Sequence, residues 1–193
     1  ETDRYEIEHS RGAANCQEPH VKILIEHLGT RGGGPQLQAE IARALIKHGE
    51  SVFLAFDTTS EMSEELMALR APTLRMGTLA ARAPQPLRMF LRMLSQPLDA
   101  VRMVAFCKKM NIDIVFEPMS HPFQILPRRL VRALGIRVLT SVHDAERHAG
   151  EENSILSWLS KDDLRNTDGV VVYSSAVKDA LDSLPVPIFQ TVH

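Results

Sequence analysis

The sequence is poor in cysteine and in aromatic residues. Its 193 residues include only two cysteines, Cys16 and Cys107, and they lie far apart without forming a C-x-x-C pattern. Neither a disulfide framework nor a zinc site is therefore expected. Cys107 falls in an apolar helical stretch and is predicted to be a buried thiol. Aromatic residues make up only 5% of the chain, so aliphatic side chains and methionine must fill the core.

Long apolar runs, a signal peptide and a strong charge bias are also absent. No run approaches the roughly 18 residues of a membrane span, and residues 1–20 are polar and charged rather than signal-like. A net charge of −2 argues against a general nucleic-acid binder. No Asp-x-Asp pattern occurs, so no metal and no cofactor are expected. We therefore expect a protein of the reducing cytoplasm.

Short apolar runs alternate with helical patterns from residue 21 onwards. Strands are predicted at 21–27, 51–56, 73–76, 112–116, 137–142, 169–173 and 187–191, and helices at 35–48, 60–69, 87–110, 122–134, 154–161 and 175–183. The strands are nearly continuous apolar runs, as in parallel sheets covered on both faces. This alternation predicts a Rossmann-like, doubly wound α/β fold over 21–193, with helices on both faces of a mainly parallel sheet. Residues 1–20 are predicted to form a flexible tail.

A glycine-rich loop, Gly32 to Gly34, separates the first strand from a helix opened by Pro35. Backbone N–H groups at the start of a helix favour an anion such as a phosphate. A P-loop is excluded because Pro35 and Gln36 stand where Lys and Ser/Thr are required. The dinucleotide fingerprint G-x-G-x-x-G fits Gly32 and Gly34 but fails at Leu37. A tight turn without a ligand is the remaining structural interpretation.

Two later loops extend the pattern. A strand ends at Val138-Leu-Thr-Ser-Val-His-Asp144, and another ends at Thr167-Asp-Gly-Val-Val-Val-Tyr-Ser-Ser175. With the glycine loop and the strand Ile112 to Val115, this order resembles the N-terminal domain of family 4 glycosyltransferases, which have the GT-B fold. The resemblance covers about residues 21–193.

The resemblance implies retaining transfer of a sugar from a nucleotide-sugar to a sugar or lipid-linked acceptor. It places the donor diphosphate at Gly32, Gly33 and Gly34 and gives His143 a catalytic contact with the donor sugar, with Asp144 orienting its loop. The family's C-terminal nucleotide-sugar domain is missing from this sequence, so the chain alone is expected to be inactive.

Two further residues are candidates for the acceptor side. Glu117 ends a predicted strand, where its carboxylate could bind an acceptor hydroxyl, and Arg147 follows His143 in the same loop. His121, which precedes a proline, is interpreted as a turn residue. Ser174 is expected to cap the helix that follows it.

A basic, amphipathic segment lies between these loops. Residues 70–109 carry eight bases and one acid, and Leu87, Leu91, Leu94, Leu98 and Val101 form an apolar stripe within them. Such a helix, within 82–109, could lie on an anionic membrane, although stripes of this kind usually pack on their own sheet. Pro97 is predicted to divide it into two shorter helices.

Two other functions stay open at this stage. A nicotinamide-dependent oxidoreductase would need Asp57, at the end of the second strand, to bind a ribose. A non-catalytic ligand-binding module would keep the fold without the chemistry.

Overall fold

The computed structural model describes residues 21–78, 81, 83–142, 164 and 166–191. Within these residues, seven parallel strands form one sheet in the order β3-β2-β1-β4-β5-β6-β7. The strands are β1 (Lys22–His27), β2 (Ser51–Asp57), β3 (Thr73–Met76), β4 (Ile114–Glu117), β5 (Arg137–Val142), β6 (Gly169–Val172) and β7 (Ile188–Gln190). The predicted parallel, doubly wound sheet is confirmed.

Helices connect the strands. They are α1 (Gly33–Lys47), α2 (Ser63–Ala68), α3 (Gln85–Met110), α4 (Ile125–Ala133), which follows a 3-10 turn at Pro122–Gln124, and α5 (Ser175–Leu181). The Ser174 hydroxyl accepts a hydrogen bond from the Val177 N–H at 3.2 Å, which confirms the predicted cap of α5. The predicted tail 1–20 and the predicted helix 154–161 lie outside the described residues.

The core lies in two layers, one on each face of the sheet. On one face, Ala39 and Ala42 of α1 and Leu66 of α2 pack against Leu54 and Phe56 of β2. On the other face, α3 and α4 cover the sheet through a cluster that includes Met103, Cys107, Val131, Leu24 and Val115. Helices therefore cover both faces, as the apolar strands predicted. Cys107 is fully buried, which confirms its predicted environment.

The prediction that Pro97 divides the third helix is wrong. Helix α3 runs without interruption from Gln85 to Met110 with Pro97 inside it. A proline removes one N–H donor, which leaves the carbonyl four residues earlier, that of Met93, without its helical partner. Both Pro97 and Met93 are exposed, so water can reach this part of the helix and satisfy that carbonyl.

The expectation that the α3 stripe packs on the sheet is also wrong. Its exposed apolar side chains are Leu87, Phe90, Met93, Leu94, Leu98 and Val101, each 46–62% exposed. We call these six residues the outer face of α3. Helix α3 instead uses Ala100, Met103 and Cys107 to pack inward. Among the described helices, none is both long and apolar enough to cross a membrane.

Candidate active site at the carboxyl edge of the sheet

The winding of the sheet reverses at β1. Strand β1 pairs with β2 on one side and with β4 on the other, and the helices that follow β1 and β4, α1 and α4, lie on opposite faces of the sheet. In open α/β sheets, ligands bind in the crevice at such a point. The loops that follow β1, β2 and β4 therefore form the candidate site.

The glycine loop leads from β1 into this edge. Gly32 has φ 87°, a conformation that favours glycine, and its N–H donates to Glu61 Oε1 at 2.8 Å. The Glu61 N–H in turn donates to the Thr30 carbonyl at 3.0 Å, so two hydrogen bonds tie the loop after β2 to the glycine loop. Gly32 and Gly33 are exposed, and a Cβ at either position would meet nothing within 4 Å. This part of the loop is open to a ligand.

Gly34 and Gly29 have a different reason to be glycine. A Cβ on Gly34 would lie 2.2 Å from Nε2 of His27, and a Cβ on Gly29 would lie 2.3 Å from the same atom. Both glycines therefore make room for the His27 imidazole. Of the three glycines predicted to face the donor diphosphate, Gly34 is buried beneath this ring.

His27 ends β1 with only 3% of its surface exposed. Its Nδ1 lies 3.2 Å from the carbonyl oxygen of Met119, in the loop after β4. A carbonyl can only accept, so Nδ1 carries the proton and the neutral ring has its lone pair on Nε2. Burial lowers the pKa of His27, and the Met119 hydrogen bond opposes that shift. At neutral pH, the ring is therefore uncharged.

His121 packs beside His27 in an edge-to-face contact with ring centroids 6.0 Å apart. Its Nδ1 accepts from the Phe123 N–H at 3.3 Å, which confirms its interpretation as a turn residue. The Arg92 guanidinium lies 4.5 Å above the Phe123 ring. Burial, together with the nearby His27 and Arg92, lowers the pKa of His121 to about 4. His121 is therefore neutral as well at physiological pH.

Arg92 reaches from α3 to two other loops. It donates to the Leu28 carbonyl at 2.8 Å and pairs with Asp57 at 2.7 Å. The other oxygen of Asp57 accepts from the Thr59 N–H at 2.7 Å, and Asp57 is 1% exposed. The carboxylate that a nicotinamide-dependent enzyme would use for a ribose is thus engaged within the protein, which disfavours the oxidoreductase alternative.

Glu117 is fully buried at the end of β4. Its carboxylate accepts from Arg128 Nε at 2.9 Å, from Arg128 Nη2 and from the Thr140 hydroxyl at 2.8 Å. This arrangement ties β4, α4 and β5 together. The structure gives Glu117 a role inside the fold, and contact with an acceptor would require the ion pair to open.

Three predicted site residues, His143, Asp144 and Arg147, lie outside the described residues. They follow β5, which ends at Val142 beside β4. Within the described residues, no group of three or more His, Cys, Asp or Glu side chains is placed to hold a metal ion.

Sequence reasoning missed His27 and Arg92 as parts of this edge. A histidine that ends an apolar strand and directly precedes a glycine loop was the available signal for His27. For Arg92 no local signal existed, because its contacts with Leu28 and Asp57 join segments far apart in the chain.

The parallel sheet, its reversal at β1 and the open glycine loop define a Rossmann-like domain with a ligand edge. The chain matches the family model described as Glycosyltransferase Family 4 over residues 31–189. It therefore belongs to glycosyltransferase family 4, and its fold is that of the N-terminal half of a GT-B enzyme. No curated protein matches the sequence.

Solved structures share this fold at low sequence identity. A glycosyltransferase from Rickettsia africae has a TM-score of 0.60 at 19% identity, covering 90% of this chain and 43% of that one. Anabaena Alr3699/HepE, in complex with UDP and glucose, has a TM-score of 0.61 at 13% identity, with 90% and 45% covered. MurG from Acinetobacter baumannii has a TM-score of 0.52 at 18% identity, with 79% and 41% covered. The chain thus spans less than half the length of each of these proteins.

Proposed function

We propose that the protein containing this chain transfers a sugar from a nucleotide-sugar to an acceptor, with retention of configuration. The observation that carries the proposal is the family membership, combined with the open backbone of Gly33 at the start of α1. The HepE structure, which holds UDP and glucose, is consistent with a donor of this kind.

The chemistry proposed for this edge is electrostatic. The first N–H groups of α1 have no partner within the helix and lie at the positive end of its dipole. A departing diphosphate gains negative charge in the transition state, so fixed N–H donors near Gly33 would stabilise that state more than the ground state. This role requires no metal and no resident cofactor.

The remaining roles come from the resemblance. His143 would contact the donor sugar, Asp144 would orient its loop and Arg147 would face the acceptor. A C-terminal domain would bind the nucleotide, so the 193-residue chain alone would be inactive. The proposed setting is the cytoplasm. Glu117 is not included, because Arg128 and Thr140 occupy its carboxylate.

The test is release of nucleoside diphosphate by the complete natural protein across a panel of nucleotide-sugars. His143→Ala should reduce release strongly, whereas His48→Ala, at the exposed far end of α1, should not. Equal release by His143→Ala and His48→Ala would show that His143 has no role in the reaction, while the proposed transferase function would stand. No release from any donor, with and without candidate acceptors, would favour a non-catalytic binding module.

For the acceptor, we propose a lipid-linked molecule reached by peripheral contact with an anionic membrane. The outer face of α3 leaves six apolar side chains exposed. Residues 70–109 carry a formal charge of +7, from eight bases and one acid, and Lys108 and Lys109 are exposed at the end of the helix. Apolar and basic groups on one helix suit an interface with anionic lipids.

Flotation with vesicles tests this contact. A Phe90→Glu, Leu94→Glu variant should lose binding to vesicles that contain phosphatidylglycerol, whereas Ile46→Glu should retain it. Ile46 is a suitable control because it is an exposed apolar residue on another helix. Binding that is equal in all variants, or absent from the wild-type protein, would refute lipid contact through the outer face of α3.

A further inference from the structure

The Nε2 atom of His27 has no hydrogen-bond partner among the described residues. The His27 residue is only 3% exposed. Its Nδ1 is engaged with the Met119 carbonyl, and its other contact is the ring of His121. An acceptor nitrogen on a side chain this well covered is expected to find a donor.

This nitrogen is directed at the glycine loop. It lies 2.2 Å from the position that a Gly34 Cβ would occupy and 2.3 Å from the corresponding position at Gly29. Gly34 belongs to the first turn of α1. The free lone pair therefore adjoins the backbone that is proposed to hold the donor phosphate.

The surroundings decide what the lone pair can bind. The ring of neutral His121, from the loop after β4, lies beside the His27 ring, and Gly34, next to Nε2, belongs to the first turn of α1. Asp57, the acidic group at the end of β2, is neutralised by Arg92. Burial of the ring disfavours a second proton, so Nε2 remains an acceptor. A phosphate oxygen, which is itself an acceptor, does not fit; a hydroxyl group does.

We propose that Nε2 of His27 accepts a hydrogen bond from a hydroxyl group of a sugar that adjoins the phosphate at the start of α1. This inference rests on the proposed function and adds a substrate contact to it. The hydroxyl belongs either to the donor sugar or to the acceptor, and the shared chemistry is a neutral O–H donor.

Two variants of the complete protein test the roles of the two ring nitrogens of His27 separately. Asparagine in His27→Asn keeps an amide N–H near Nδ1 for the Met119 carbonyl but lacks Nε2. Glutamine in His27→Gln places an amide oxygen near Nε2. In His27→Asn, kcat/KM should fall about 10-fold, the effect of one neutral hydrogen bond, while the Kd for nucleoside diphosphate without a sugar stays unchanged. His27→Gln should recover part of the loss.

The kinetic arms distinguish the source of the hydroxyl. A raised KM for the nucleotide-sugar assigns it to the donor, and a raised KM for the acceptor alone assigns it to the acceptor. An equal loss of nucleoside diphosphate binding would overturn the proposal, because the contact would then be with phosphate. Unchanged kinetics in His27→Asn would overturn it too, since water would then satisfy Nε2.

A second measurement is independent of turnover. Nitrogen-15 NMR of the histidine rings should show His27 protonated on Nδ1 and not on Nε2 at neutral pH. A proton on Nε2 would overturn the inference even in an active enzyme. If the wild-type protein acts on no nucleotide-sugar, the proposed function fails by itself, and the tautomer still tests the assignment of Nε2.

Discussion

Replacing Arg128 with methionine tests whether Glu117 serves the fold or a ligand. The side chains of Arg128 and Glu117 are both 0% exposed, and Arg128 donates two hydrogen bonds to the carboxylate. Methionine fills much of the same volume but removes the guanidinium that pairs with the carboxylate, which keeps its hydrogen bond from the Thr140 hydroxyl. Breaking a buried pair in this way costs about 3–5 kcal/mol, a large share of the stability of a typical domain.

Two further variants separate the loss of the buried ion pair from other effects of the substitution. Arg128→Met combined with Glu117→Gln removes both charges and keeps an acceptor for Thr140, so the double variant should be more stable than Arg128→Met alone. Arg43→Met is the matched control, because its pair with Glu65 is 54% and 57% exposed. Losing an exposed pair should cost less than about 1 kcal/mol.

Urea unfolding followed by circular dichroism measures these differences as shifts in midpoint at constant slope. An Arg128→Met variant no less stable than Arg43→Met would refute the structural role of the Arg128–Glu117 pair. A Glu117→Gln variant that raises the acceptor KM while leaving stability unchanged would refute it too, because Glu117 would then act on the ligand as the sequence had suggested.

Three further predictions concern the same edge and the core. The pKa of His121 falls from 6.5 to about 4 on folding, so the unfolded chain binds a proton more readily than the folded one. The free energy of unfolding should therefore fall by about 3 kcal/mol as the pH drops from 6.5 to about 4. Urea unfolding should show a weaker pH dependence for His121→Gln. Gly34→Ala should lower the melting temperature, because its Cβ would lie 2.2 Å from Nε2 of His27. Gly33→Ala should not, because its Cβ would meet nothing within 4 Å. Equal changes in melting temperature would contradict the packing of His27 against Gly34. Burial raises the pKa of the Cys107 thiol to about 12. In a Cys16→Ser background, the folded protein should therefore resist thiol labelling until urea unfolds it. Rapid labelling of the folded protein would show that the thiol is accessible.

Much of the fold followed from local pattern. The strands at 73–76 and 137–142 were predicted to the residue. Helix α1 was predicted nearly as well, with Gly49 at φ 84° just beyond its end. Such signals lie within a few residues of the element they define.

The failures depended on tertiary structure. A stripe on a helix indicates an apolar face but not what covers it, so the exposure of Leu94 could not be inferred from the spacing. The burial of Glu117 depends on Arg128 from α4 and Thr140 from β5. The sequence around Glu117 does not predict either partner. Likewise, Gly34 was interpreted as room for a ligand, while the ring that fills the space comes from the preceding strand.

The contact between His27 and Met119 spans 92 residues of sequence, and it carries a consequence for the order of folding. Closing so long a loop is entropically unfavourable and slow, and the contact exists only once β4 has added to β1. Until then, neither the orientation nor the tautomer of the imidazole is fixed. Assembly of this edge therefore shows that the two halves of the sheet have joined, and a newly made chain acquires the geometry of its candidate site late in folding.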